Sequence, residues 1–274
     1  MKFPIGVQLF SVRDNCVADL PGTLKKIKEM GYEGVEPYTL YDYTPEEFRK
    51  LLDDNGLKAF SSHVSVQEYE NNGFEKVVQM YKTVGVDYLT IPYLIGDHYP
   101  GESKFYETVA SAQKIAEECE KAGIGFAYHN HEHELGVLPT GVTRLDALYS
   151  VIPQIQAEFD LGWLTKAGAN PLEYIAKYTG RLPLVHVKEL AWTGAVPKSV
   201  RAAAGIECDC PEDPASEFVF KPLGQGIMPF EKIFEALEKA GTRYLIVEQD
   251  NPTPGMDIMD CIAESARYLK AHLD

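Results

Sequence analysis

The feature of this sequence that most constrains its fold is a regular alternation between short apolar runs and segments with helical periodicity. Helix signals separate the units, because Gly31, Gly85 and Gly123 follow helical segments, and Thr44 with Pro45 is a typical helix start. The alternation recurs eight times in 274 residues, at a mean of about 34 residues per unit. The eight predicted strands are residues 5–9, 34–36, 57–62, 87–92, 124–128, 156–159, 182–187 and 244–247.

Eight strand and helix pairs are what a (β/α)8 TIM barrel requires, whereas a doubly wound open sheet usually stops sooner. We therefore predict an α/β fold with a single (β/α)8 TIM-barrel domain over residues 1–274. No linker rich in Gly, Ser or Pro divides the chain. The irregular segment of about residues 191–226 is too long for a plain connection, and it is predicted to be a loop insertion over the barrel mouth.

The densest group of reactive side chains lies in residues 126–134, FAYHNHEHE, directly after the fifth predicted strand. A buried strand fixes where the side chains at its end point, and in a parallel barrel the chemistry lies at the C-terminal ends of the strands. The segment is therefore a candidate for a metal or proton-handling site. Its candidate groups are His129, His131, Glu132, His133 and Glu134.

Three further polar residues close other predicted strands, namely Asp160, His186 and Glu248. In a barrel they would meet His129 at one rim, and carboxylates with imidazoles form a ligand set suited to Mn2+, Zn2+, Co2+ or Fe2+ rather than to Ca2+. Taken singly, an Asp at a strand end also serves as a helix N-cap, and a lone His is more often a hydrogen-bonded core residue. Their placement at the same end of several strands favours a single divalent-metal site.

The net charge of −15 argues against nucleic-acid or anionic-membrane partners, because both favour clustered Lys and Arg. No apolar run approaches the roughly 20 residues of a membrane helix. The first ten residues lack the features of a signal peptide, so a cytoplasmic location is expected.

The five cysteines are an odd number in a chain too large to need crosslinks, which predicts free thiols in a reducing compartment. Cys208 and Cys210 are predicted to be two thiols in an acidic loop. A zinc site there is disfavoured, because no second Cys or His pair follows at a finger-like spacing.

Seven short segments occur in order along the predicted units: GVQLFSVRD, GYEGVEP, FAYHNH, AEFDLGW, LVHVKEL, PLGQG and YLIVEQD. Together they resemble the sugar phosphate isomerase/epimerase superfamily, the xylose isomerase-like barrels that also include inosose dehydratases and family-two AP endonucleases. The resemblance covers essentially the whole chain. It implies a small-molecule sugar substrate and one divalent metal held by Glu, Asp, His and Glu at the ends of strands five to eight.

Mapped by motif, the last three of these ligands fall on Asp160, His186 and Glu248. His129 stands where relatives have the first glutamate, and this replacement removes one negative charge and one strong oxygen base. Whether His129 or His131 is the fifth-strand ligand stays open. Trp163 stands where many relatives have a substrate-binding His.

The resemblance also implies that a base beside the metal removes a proton next to a carbonyl. Glu248 is the expected base, and epimerisation would need a second one, for which Glu134, His131 and Lys188 are candidates. Glu134 is equally well explained as a solvated loop carboxylate or cap. Lys188 shares a strand face with His186 and is expected at the rim. The candidates for substrate contact are His63, His131, Trp163 and Glu36.

The leading hypothesis is a divalent-metal-dependent sugar isomerase or epimerase. The second is a lyase on a keto-sugar, either an inosose-type dehydratase or a 3-keto-glycoside-cleaving enzyme, which the missing glutamate at His129 favours. A nucleic-acid-cleaving enzyme and a non-catalytic binding protein are the remaining hypotheses. The sequence leaves open the sugar, the metal and whether the chain forms a homo-oligomer. The backbone amides of PLGQG could meet a substrate phosphate, or its glycines could simply serve a turn.

Overall fold

The strands of the fold alternate with helices as the apolar pattern requires. The computed structural model describes residues 3–208 and 210–273. Within these residues the strands are β1 Ile5–Gln8, β2 Gly34–Glu36, β3 Lys58–Ala59, β4 Ser61–His63, β5 Tyr88–Ile91, β6 Gly125–His129, β7 Gln156–Asp160, β8 Leu184–Val187, β9 Glu189–Trp192, β10 Phe218–Lys221 and β11 Tyr244–Val247.

Nine of these strands form one parallel sheet that nearly closes into a barrel, in the order β3-β2-β1-β11-β8-β7-β6-β5-β4. The two edges, β3 and β4, are consecutive in the chain and are separated by Phe60 alone. Backbone N–H groups of Phe60 and His63 donate to the carbonyls of Val35 and Pro37, at 3.0 and 2.9 Å, which links β4 to the β2 side. The predicted TIM barrel is confirmed, and the third predicted strand is divided at Phe60.

The helices surround this sheet, and 3-10 turns occupy Leu9–Val12, Gly96–His98 and His133–Leu135. No helix among the described residues is both long and apolar enough to cross a membrane. The helices are α1 Arg13–Met30, α2 Pro45–Asn55, α3 Val66–Asn72, α4 Phe74–Val84, α5 Phe105–Ala122, α6 Arg144–Val151, α7 Leu161–Lys166, α8 Pro171–Lys177, α9 Lys198–Ala204, α10 Phe230–Ala240 and α11 Ile258–Leu273.

The lower end of the barrel is filled by the ring of Phe60, which stacks on Tyr244 with 4.1 Å between ring centroids. The ring fits because two neighbouring strands carry glycine there. A methyl group at Gly34 would lie 2.6 Å from the Phe60 ring, and one at Gly6 would lie 2.9 Å from it. Aromatic packing therefore closes this end, and the other end, where the strands terminate, is left for polar side chains.

The segment of residues 191–226 is more ordered than the irregular loop that was predicted. It contributes most of a two-stranded antiparallel sheet, in which β9 pairs with β10, and it contains α9. Cys208 and Cys210 are joined there as a disulfide, so the prediction of free thiols is wrong for this pair, whose Cα atoms lie 5.3 Å apart and permit the bond. Cys16, Cys119 and Cys261 are free, as predicted, and all three are buried.

The PLGQG turn, residues 222–226, binds a side chain of the protein itself. The buried carboxylate of Glu189 accepts backbone hydrogen bonds from Gly224, Met228 and Leu190, each at 3.0 Å. Of the two interpretations of PLGQG, the structure favours the turn, because an internal carboxylate already accepts from its backbone.

Candidate metal centre

Four side chains from four strands of the barrel meet at the C-terminal rim. His129 and Asp160 end β6 and β7, His186 lies in β8, and Glu248 directly follows β11. All four are buried, and one ligand atom from each lies within 4.8 Å of those of the others. The predicted convergence therefore occurs, because the ends of neighbouring parallel strands lie side by side. We call these four residues the upper cluster.

The ammonium of Lys188 lies among the carboxylates of the upper cluster. Its Nζ is 2.8 Å from Asp160 Oδ2, 2.9 Å from Glu248 Oε2 and 2.9 Å from Asp250 Oδ2. The side chain is fully buried, and the Trp163 ring covers it at 4.6 Å. Lys188 therefore lies at the rim, as expected, but it is enclosed by carboxylates and does not line the cavity where a substrate would bind.

The charges of this group are set by burial and by Lys188. Burial alone would raise the pKa of Glu248, but the positive charges of Lys188 and His186 outweigh it and hold the pKa well below its usual range. Burial raises the pKa of Asp160 to about 6, against the opposing effect of Lys188. The carboxylates of Asp160, Glu248 and Asp250 surround one ammonium, so the centre is rich in carboxylate oxygens and suits a divalent cation.

The donor set of the upper cluster fits such a cation. Burial, followed by the neighbouring His186 and His63, lowers the pKa of His129 well below its usual range, so the ring is neutral and able to ligate. Its Nδ1 is buried without a hydrogen-bond partner, which a bound cation would explain. Two imidazoles and two carboxylates suit Mn2+, Zn2+, Co2+ or Fe2+.

A cavity of about 430 Å3 opens onto the upper cluster. His63 and His131, two predicted substrate contacts, line it, and burial followed by the charge of Lys188 lowers the pKa of His131 to about 3. Aromatic rings form part of the wall, which suits the apolar face of a sugar or of a sugar substituent. The lining consists of Phe10, Tyr38, His63, Ser65, Glu68, Pro92, Tyr93, His129, His131, Glu248 and Asp250.

Apart from Lys188, three of the predicted catalytic and substrate-contacting residues are absent from this lining. Trp163 packs over Lys188, and Glu36 is fully buried beneath the cluster, where Gln8 Nε2 donates to it at 2.7 Å and the Ser61 hydroxyl also donates. Glu36 is therefore too deeply buried to contact a substrate in the cavity, contrary to the prediction.

Glu134 is the third predicted residue outside the cavity. Its carboxylate accepts from the Tyr128 hydroxyl at 2.7 Å and from the backbone N–H of His131 at 2.9 Å. Glu134 is neither solvated nor directed at the upper cluster. It fixes the turn that presents His131 to the cavity, which is a positioning contact rather than direct chemistry.

The sequence interpretation missed three acidic residues at the site, Asp250, Glu158 and Glu68. The two-residue period of a strand was a usable signal, because it places Glu158 on the same face as Asp160, and Asp250 follows Glu248 at the same interval. No sequence pattern singled out Glu68, which reaches the cavity from the short helix α3.

Comparison with known proteins agrees with this fold. The family model described as "Xylose isomerase-like TIM barrel" matches residues 24–272. A curated relative, the inosose dehydratase of Clostridium beijerinckii, is 21% identical over 265 residues, which cover 88% of this chain and 85% of the relative.

Solved structures with a similar fold share little sequence identity with this chain. A sugar phosphate isomerase/epimerase from Parabacteroides distasonis superposes with a TM-score of 0.77 and 20% identity, over 99% of this chain and 94% of the other. An L-ribulose 3-epimerase superposes with a TM-score of 0.70 and 16% identity, over the same shares of the two chains. At these identities the likeness to solved structures shows the fold only. The reaction has to be inferred from the geometry of the site.

Proposed function

The chain belongs to the xylose isomerase-like TIM barrel family, and on that basis we propose that it is a divalent-metal-dependent lyase acting on a keto-sugar or keto-polyol. The reaction would remove a proton next to the carbonyl and expel a leaving group from the adjacent carbon. Relatives named inosose dehydratase, similar over most of the chain, support this class.

One observation carries the proposal: two carboxyl groups with opposite pKa shifts line the same cavity. The pKa of Glu248 is held low because Lys188 and His186 outweigh burial, whereas burial raises the pKa of Glu68 above its usual value. Titratable groups whose environments separate their pKa values in this way are typical base and acid assignments.

The residues would divide the elimination between them. Glu248 accepts the proton as the carbon–hydrogen bond breaks, and the electron pair forms the new double bond while the bond to the leaving oxygen breaks. Glu68 gives its proton to that oxygen, so that a hydroxyl departs as water or a glycosidic oxygen as an alcohol. The ring of His63 and the neutral ring of His131 would hydrogen-bond the substrate hydroxyls.

His129, Asp160, His186 and Glu248 would hold the divalent cation. When bound, it would polarise the substrate carbonyl and so acidify the neighbouring carbon–hydrogen bond. Lys188 would keep its charge beside Asp160 and Glu248, which maintains both carboxylates in the ionised form.

A sugar isomerase or epimerase is the second candidate. The presence of His131 in the cavity, next to the position where relatives carry a glutamate, supports it, and so does the fold shared with an L-ribulose 3-epimerase. We place it second, although the sequence alone favoured it, because His129 supplies no second carboxylate base and the carboxylate of Glu134 is bound elsewhere.

The two candidates are separated by incubating the Mn2+-loaded protein with keto-inositols, 3-keto-glycosides and ketoses in D2O. A lyase releases water or an alcohol and forms an enone, which absorbs in the ultraviolet. An isomerase or epimerase instead returns an isomer that carries deuterium and has lost nothing. The second outcome, or no turnover of any keto-sugar, would contradict the proposal.

Variants then test the assignments. We expect Glu248→Gln to lower kcat by about 10²–10⁴-fold, as for loss of a general base. Glu68→Gln should slow elimination most for poor leaving groups. Glu231→Gln, an exposed position on α10, is the matched control and should leave kcat unchanged.

A further inference from the structure

We propose a second divalent-cation site inside the barrel, formed by Glu36, His63, Glu158 and His186 and lying beneath the upper cluster. We call these four residues the inner cluster. Their side chains come from β2, β4, β7 and β8, and all are buried. His63, Glu158 and His186, together with His129, bring potential ligand atoms within 4.8 Å of one another.

The spacing of the donor atoms matches a small tetrahedral site. His63 Nε2 lies 3.1 Å from Glu158 Oε2 and 3.2 Å from Glu36 Oε2. His186 Nε2 lies 2.6 Å from Glu36 Oε2 and 3.6 Å from Glu158 Oε1. Ligand atoms about 2.0 Å from a tetrahedral ion are about 3.3 Å apart. The four distances, from 2.6 to 3.6 Å, lie on both sides of this value, which Zn2+ or Co2+ requires.

Hydrogen bonding alone leaves part of the inner cluster unexplained. Glu158 Oε1 is fully buried and has no hydrogen-bond partner. Both imidazole Nε2 atoms instead converge on Glu36 Oε2, which also accepts from Gln8 at 2.7 Å. Buried carboxylate oxygens are rarely left without a partner, and an ion between the four groups would satisfy this one.

The ring of His186 joins the two clusters. Its Nδ1 faces Glu248 at 3.1 Å, and its Nε2 faces Glu36. An imidazole that ligates one cation through each nitrogen carries no ring N–H proton, so His186 would bridge the two sites as an imidazolate and would release its remaining proton to solvent when the second cation binds. A cation at the inner cluster would lie between its two imidazole rings and the two carboxylates that face them, Glu36 and Glu158.

An ion can reach the inner cluster through the cavity. His63 is 8% exposed and lines the cavity wall, while its ring lies 4.9 Å from that of His129. The substrate would not reach Glu36 or Glu158, which are completely buried. The second cation would therefore hold His186 in place and add positive charge below the reacting carbonyl, without contacting the substrate.

The test is metal stoichiometry, which is independent of any turnover. Metal-free protein is titrated with Co2+ by calorimetry, and bound metal is counted after removal of the excess. We expect two equivalents for the wild type, one for Glu158→Gln, one for Asp160→Asn and none for the double variant. Glu235→Gln, exposed on α10, is the control and should bind two.

One equivalent in the wild type, or two in Glu158→Gln, would overturn the inner site. If Asp160→Asn loses metal but Glu158→Gln does not, the inner site is refuted, while the upper cluster and the proposed function that depends on it still stand. If the variants fail to fold, anomalous diffraction from Co2+-soaked wild-type crystals decides the question. A second peak bonded to His63 and Glu158 supports the site, and its absence refutes it.

Discussion

Lys188 is the residue that best shows how the upper cluster is balanced. A fully buried ammonium is tolerated because three carboxylates lie within 2.9 Å of it, and their charges raise its pKa although burial opposes this. As long as no other cation is bound, the negative charge of each carboxylate is in turn stabilised by Lys188. Removal of this side chain should therefore affect the metal-free protein most.

We expect Lys188→Met to lower the free energy of unfolding of the metal-free protein by about 3–5 kcal/mol, because it leaves buried carboxylates without their counter-charge. Added Mn2+ should reduce this difference, since the cation replaces the lost charge. Urea unfolding with and without Mn2+ measures both. Lys166→Met is the control, because Lys166 also lies over Trp163, at 4.7 Å, but is partly exposed and pairs with Glu132. An equal loss with and without metal would argue against the charge balance.

Asp160 shows that a helix cap and a place in the upper cluster do not exclude each other. Its Oδ1 accepts the backbone N–H of Trp163 at 2.8 Å and so caps α7, while its Oδ2 faces Lys188 in the upper cluster. The sequence interpretation had weighed an N-cap against a metal ligand. A carboxylate has two oxygens, and the structure uses each for a different contact.

Glu189 should make the stability of the fold depend on pH. Burial raises its pKa to about 7, although backbone N–H groups of Met228, Leu190 and Gly224 act in the opposite direction. Because the folded-state pKa lies above the ordinary value, folding is favoured by the bound proton. That contribution is complete at pH values below about 4.5 and is lost as the pH rises through about 7.

We therefore expect Glu189→Gln to weaken the fall in Tm of the metal-free protein between pH 5 and pH 8. The difference between the two proteins should change by up to about 3 kcal/mol over this range. Thermal melts at several pH values measure it, with Glu235→Gln as the exposed control. Parallel pH profiles for Glu189→Gln and wild type would contradict the assignment.

At the scale of elements, local signals located the longer helices and missed some of the short ones. The helix α2 begins at the predicted Thr44 and Pro45, where a Thr44–Glu47 capping box forms, and α4 ends at Gly85 as predicted. The helices α3 and α7 were not predicted. Helices of six or seven residues are held by tertiary contacts rather than by their own sequence, so their pattern is too short to recognise.

At the lower end of the barrel, the Phe60 ring packs directly against the backbone of the strands at Gly6 and Gly34. We expect Gly34→Ala to destabilise the fold by about 1–3 kcal/mol, because the added methyl group meets the Phe60 ring and the Lys58 carbonyl, 2.6 and 2.8 Å away. Urea unfolding measures this loss. Phe60→Leu makes room at the same place, so the double variant should lose less than the two single losses combined. Additive losses would show that Phe60 does not set the requirement for glycine.

At the scale of the whole molecule, net charge separates this chain from barrels that cleave nucleic acid. With a formal charge of −15, its surface repels a phosphate backbone. We expect no binding of an abasic-site DNA duplex at micromolar protein concentration, even in 20 mM salt, where electrostatic attraction is strongest. Fluorescence anisotropy of a labelled duplex measures this, with a basic DNA-binding protein as the positive control. Salt-sensitive binding or strand cleavage would contradict it.

Patterns along the chain suffice to predict the barrel and the residues of the upper cluster, because both follow from local periodicity. Alternating periodicity dictates parallel strands, and the polar residues at their ends, Asp160, His186 and Glu248, must then share a rim. The tertiary structure alone decided the partners of these residues. Lys188 lies among three carboxylates, and Glu36 and Glu158 lie below His186. Backbone N–H groups of the PLGQG turn donate to Glu189. Such contacts join side chains from distant parts of the chain, and their distances depend on how the closed sheet packs, which no local pattern encodes.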